Sequence, residues 1–153
     1  MANSLTFTSN SFVSVVQFAT ASAATASGFQ PSTNNTIYDI MGGTSSYDKR
    51  IYGINATNVF GTPETVTLYL FDGISSKQLY QVSVAANSGN STTAASVDLF
   101  GNANGAGIFQ KQKDANGVPY FNLPAGWSIR AAYSAALTGS SVLILATFGE
   151  TYQ

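Results

Sequence analysis

FNLPAGWSIRAAYSAALTGSSVLILATF, residues Phe121–Phe148, is the stretch on which the reading of this chain turns. Its spacing predicts a β-hairpin. A Leu-Pro-Ala-Gly corner leads into a strand over Trp127–Leu137, a Thr138-Gly139-Ser140 turn and a returning strand over Val142–Phe148. Successive strand side chains point to opposite faces, so Trp127, Ile129, Ala131, Tyr133, Ala135 and Leu137 share one face. The other face carries Ser128, Arg130, Ala132, Ser134 and Ala136. Small residues around one long cation predict a second surface lying close against them, and these five residues are the candidate subunit contact. The run Val142–Ala146 is apolar on both faces, whereas a strand with one wet face alternates. Both of its sides are therefore expected to be covered.

Working outward, short β-prone runs recur with turn residues between them. Thr36–Met41 ends at Gly42-Gly43, and Lys49–Thr57 follows, with Gly53 marking a bulge or a close backbone approach. Glu64–Phe71 alternates most cleanly, with Val66, Leu68 and Leu70 inward and Thr65, Thr67, Tyr69 and Phe71 outward. Asp72-Gly73 turns the chain, and Gln78–Ala85 is predicted to return as its hairpin partner across about six residues. Ala94–Phe100 reads as one further strand. No segment has helical periodicity. The pattern predicts an all-β chain, an antiparallel β-sandwich, with a jelly roll as first choice and an immunoglobulin-like sandwich as the alternative.

The amino end reads differently. Leu5–Phe7 and Phe12–Phe18 are β-prone and apolar, and they precede an Ala/Ser/Thr tract with little to bury. Residues 1–27 are therefore predicted to be an extended N-terminal arm or a first strand, and residues 28–153 a single sandwich domain. An arm of this kind gains stability only when Phe7, Phe12, Val13, Val15, Val16 and Phe18 find a surface, either a sheet edge of the same domain or a neighbouring subunit.

Composition narrows the function. Charged residues are 8% of the 153-residue chain, against about 25% in ordinary globular domains, while Ser, Thr and Asn supply nearly a third. A surface so poor in charge suits extensive coverage by neighbours; a secreted β-domain with a neutral surface is the plainer alternative. A net charge of −1 without a Lys/Arg cluster argues against nucleic acid as a partner. The chain has neither cysteine nor histidine, which excludes Cys/His zinc sites, thiol nucleophiles, Ser-His-Asp triads and disulfide staples. Asp114-Ala115-Asn116-Gly117 opens like a calcium loop but lacks the later ligands, so a plain turn is expected. The seven carboxylates fall mostly at strand ends and turns, where Asp serves backbone geometry. No enzymatic activity, cofactor or metal is expected. No apolar run approaches the roughly 18 residues of a membrane-spanning helix, and the amino end lacks the basic and apolar regions of a signal peptide. Membrane is thus not an expected partner, and synthesis and use without Sec export are expected.

One resemblance emerges from the residues now quoted. RIYGINATN, the strand ETVTLYLFDG, the Gly-rich loop after Phe100 and the closing FNLPAGWSIRAAYSAALTGSSVLILATFGETY together resemble the head decoration, or cement, proteins of tailed bacteriophages. The likeness covers about two-thirds of the chain, Ile51–Tyr152, and lies in overall pattern rather than in one motif. It implies a jelly-roll or related sandwich, a homotrimer on the outer face of the virion, assembled in the host cytoplasm, with the major capsid protein as partner. It carries over no catalytic residue. The competing expectation is a receptor- or glycan-binding module of a phage tail or fibre, with Tyr47, Phe109 and Tyr120 as stacking platforms.

Overall fold

In a computed structural model, the chain is described over residues 9–19, 29–31, 37–41, 46–101, 111–133 and 142–152. Eleven strands are present among them: β1 (Ser9–Ala19), β2 (Phe29–Pro31), β3 (Tyr38–Asp39), β4 (Asp48–Asn58), β5 (Glu64–Phe71), β6 (Ser76–Val84), β7 (Val97–Asp98), β8 (Gln112–Lys113), β9 (Pro119–Leu123), β10 (Ser128–Tyr133) and β11 (Val142–Tyr152). They form an all-β sandwich. One sheet runs β2-β1-β11-β4-β9-β8, with β7 added to β4, and the other runs β3-β10-β5-β6. Pairing is antiparallel except for the short β1–β2 contact.

The core lies where the two apolar faces meet. Ile129, Ala131 and Tyr133 of β10 stand beside Leu70, Leu68 and Val66 of β5 in the smaller sheet. Across from them lie Ile51, Ile54 and Ala56 of β4, Leu143 and Leu145 of β11, and Phe18 of β1, all buried. Phe18 links the layers, its ring edge-on to Tyr133 at 5.6 Å and to Tyr38 at 5.3 Å. Each of the larger aliphatic and phenyl side chains, fully buried, contributes about 1.5–3 kcal/mol. Burial also pushes the Tyr133 phenol up to about 12, helped by Tyr38 and Glu64 nearby, so its hydroxyl stays protonated.

The stretch read as a hairpin takes another course. β10 and β11 are not partners: β10 pairs with β3 and β5 in one sheet, whereas β11 lies between β1 and β4 in the other. Consecutive strands can change sheet while each keeps an inward apolar face, and periodicity does not distinguish that crossover from a hairpin. The face assignment within β10 does hold, with Ile129, Ala131 and Tyr133 all in the core.

Two further expectations shift for local reasons. The β5–β6 connection is shorter than expected, Asp72–Ser75, because Ser76 and Lys77 already pair with Phe71 and Leu70. Asp72 builds this turn: Oδ1 accepts the N–H groups of Ile74 and Ser75, and Oδ2 accepts Lys77 Nζ at 2.7 Å. Those donors hold its carboxyl well below the usual range. In β4, strict alternation would put Ile51 and Ile54 on opposite faces, yet both are in the core. A bulge reconciles them. Phe148 opposes Gly53 and Gly149 opposes Ile51, leaving Tyr52 as the extra residue. The bulge sits beside Gly53, where the sequence predicts a bulge or a close backbone approach.

The Leu-Pro-Ala-Gly corner survives as a turn between β9 and β10. Trp127 N–H donates to the Pro124 carbonyl at 3.1 Å, and Gly126 has φ +79°. Two residues of β4 pin it: Asp48 Oδ1 accepts Ala125 N–H at 2.9 Å, and the buried Lys49 ammonium donates to the Trp127 carbonyl at 3.2 Å. Desolvation lowers the Lys49 pKa, partly countered by Asp39.

Glu64 is the exception among the carboxylates. It is 2% exposed, and its Oε2 has no hydrogen-bond partner among the described residues. Desolvation raises its pKa above the ordinary 4.5. A raised folded-state pKa means the protonated form is favoured, so its stabilising effect is complete below about 4.5 and is lost as pH rises through the folded value. Glu64→Gln, neutral and of the same shape, is expected to be more stable than the parent at pH 7–8 and equal to it near pH 4. Urea midpoints across that range test this; an advantage independent of pH would contradict it.

Candidate functional site

Two surfaces stand out, both on the outward face of the larger sheet. The first follows from β11 lying at its centre. Its inward residues Leu143, Leu145 and Thr147 are buried, while Ile144, Ala146 and Phe148 point outward. The β1 register places Gln17, Val15 and Val13 beside those three. Val13 is 62% exposed, Val15 52% and Phe148 38%, with Ile144 and Ala146 half-buried between the strands. The outward face of β11 thus remains an apolar strip rather than a covered one.

The second surface lies at the other end of the same face. The register sets Glu150 of β11 beside Arg50 of β4, Arg50 beside Asn122 of β9, and Tyr152 beside Asp48. The Arg50 guanidinium is stacked by two rings, 4.6 Å from the centre of Tyr120 and 4.3 Å from that of Tyr152. Glu150 Oε2 accepts hydrogen bonds from Tyr52 at 3.1 Å and from Tyr152 at 2.5 Å. Tyr120 donates to Gln112 Oε1 at 3.0 Å and meets Tyr52 edge-on at 6.1 Å. Desolvation first, and then the bonds to Glu150 and Tyr52, raise the Tyr152 pKa. Beside these rings opens a groove of about 360 Å³ lined by Asp48, Arg50, Asn122 and Tyr152.

The candidate residues from the sequence distribute as follows. Ser128 and Ala132 are already buried within this one chain. Arg130 is half-buried, its guanidinium carbon 3.5 Å from the Phe71 ring centre and its NH1 donating to Ser76 at 3.2 Å. Ser134 and Ala136 lie outside the described residues. A subunit contact on this face therefore has Arg130 as its accessible described member. Of the arm set, Phe18 is in the core, Phe12 and Val16 pack against it, Val13 and Val15 point outward, and Phe7 lies outside the described residues. Residues 9–19 are strand β1, paired along their whole length with β11 of the same chain.

Tyr47 is 44% exposed, Tyr120 is buried with its ring against Arg50, and Phe109 lies outside the described residues. Asp114 makes a turn, its Oδ1 accepting the N–H groups of Asn116 and Val118. Among the described residues, no cluster of three or more His, Cys, Asp or Glu side chains could hold a metal ion.

Set against known proteins, the chain matches no protein-family model, no curated protein and no solved structure.

Proposed function

We propose that this protein is a tailed-phage capsid decoration protein, a homotrimer on the virion surface that stabilises the head by binding major capsid subunits. The observation that carries the reading is the apolar strip of Val13, Val15, Ile144, Ala146 and Phe148, an uncovered patch at the middle of a sheet in a chain with 8% charge. Decoration works through buried area repeated at many identical contacts, and such a strip is its raw material. Strand order supports the finer fold reading. Numbering β1, β3, β4, β5, β6, β9, β10 and β11 as 1 to 8, the sheets read 1-8-3-6 and 2-7-4-5. With β2, β7 and β8 set aside, this order is consistent with a jelly roll, an architecture common among viral coat proteins.

The test is co-sedimentation of purified protein with particles lacking it. Val13→Asp and Val15→Asp change the most exposed side chains of the strip, so both variants should keep the parent's thermal midpoint. Each buried unpaired charge at a contact is expected to reduce occupancy at least tenfold. Variants that bind like the parent would overturn the assignment of this face.

A further inference from the structure

The decoration reading makes no use of the groove bounded by Asp48, Arg50, Asn122 and Tyr152. We infer that it is a binding site for a neutral, hydroxyl-rich saccharide. Its walls are held before any ligand arrives. Arg50 is held against two rings, and the hydroxyls of Tyr52 and Tyr152 are both anchored on Glu150. Such preorganisation lowers the entropic cost of binding.

The groups facing the groove combine donors and acceptors in a small space. The guanidinium lies against two rings, 4.6 Å from the centre of Tyr120 and 4.3 Å from that of Tyr152, and its N–H groups beyond the one engaged with Tyr52 are donors for a ligand. Asn122 is exposed and supplies an amide donor and an acceptor. Asp48 lines the groove and commits Oδ1 to Ala125 N–H, so Oδ2 is its remaining acceptor. Adjacent hydroxyls of a sugar, each both donor and acceptor, match that set, and the tyrosine ring offers an apolar wall for C–H groups.

Charge selects the class. Arg50 alone would suit a phosphate or carboxylate, but Glu150 is its cross-strand neighbour and Asp48 lines the same groove. Two carboxylates against one guanidinium repel an anion, so a neutral ligand is favoured. The groove's size, about 360 Å³, is at the lower end of ligand sites and fits one or two sugar rings.

The experiment uses the intact protein on a printed array of neutral and acidic saccharides, followed by titration of the strongest neutral binder and of inorganic phosphate. ¹⁵N-labelled protein reports shifts of the Asn122 side-chain amide. Binding of a neutral saccharide is expected, with that amide among the shifted signals. Asn122→Ala and Asp48→Asn should each weaken it about tenfold, with thermal midpoints unchanged. Asp48→Asn keeps an oxygen for Ala125 N–H, and it separates the two ligand classes. Removing a repulsive charge would tighten an anion, whereas removing the stronger acceptor weakens a neutral sugar. The inference is overturned if no neutral saccharide binds, if acidic glycans or phosphate bind more tightly, or if neither substitution matters. None of these outcomes bears on particle binding through the apolar strip.

Discussion

Asn58→Ala is expected to lower stability by about 3–4 kcal/mol, the cost of leaving the buried Val84 carbonyl and two half-buried backbone groups without partners. Asn58 is wholly buried at the end of β4, and its amide does the work of a small piece of sheet. Nδ2 donates to the carbonyls of Thr62 at 2.8 Å and Val84 at 3.3 Å, and Oδ1 accepts Phe60 N–H at 2.9 Å. Its own N–H donates to the Ser88 carbonyl at 2.9 Å, so the β4–β5 connection and the loop after β6 close on one residue. A domain of this size loses roughly 2–4 °C per kcal/mol, giving a midpoint fall of roughly 10 °C. Asn58→Asp should be worse than Ala, because it turns a carboxylate oxygen toward two carbonyls in a buried site. Urea denaturation of both variants checks the ranking. Aspartate tolerated better than alanine would contradict the bonding pattern.

Gly149→Ala is expected to cost about 2–3 kcal/mol. A Cβ there would stand 2.5 Å from the Arg50 carbonyl oxygen and 2.7 Å from Phe12 Cζ. The Phe12 ring can shift, but the carbonyl belongs to the β4–β11 ladder next to the bulge and cannot move without opening it. Because Arg50 shares that backbone, the same change should also disturb its stacking against Tyr120 and Tyr152. A loss under about 0.5 kcal/mol would show that the ladder yields freely there.

Both residues illustrate what the amino-acid sequence discloses and what it hides. The all-β class and the inward set of β5 and β10 follow from period-two alternation, a local property. Sheet membership is not local. Val142–Ala146 was read as covered on both sides; its inner face is covered by the core, and its outer face is the apolar strip. The strip becomes visible only once Val13 and Val15 are known to lie beside Ala146 and Phe148. The groove was hidden more deeply, because Asp48, Arg50, Asn122 and Tyr152 come from three strands whose adjacency no spacing reveals. Its faint signal was the pairing of charged and tyrosine residues two apart, Arg50 with Tyr52 and Glu150 with Tyr152. The face of Ser128, Arg130 and Ala132 shows the converse. Small residues did mark close packing, but Ser128 and Ala132 are packed within this chain. Ala132→Glu would therefore unfold the domain before it reported on assembly.

The number of copies of this chain per virion, measured against the major capsid protein by quantitative mass spectrometry of purified particles, tests the decoration role most directly. A homotrimer repeated over the head predicts copies on the same order as the major capsid protein. A handful of copies per particle, as in a tail or fibre module, or absence from the particle, would contradict it.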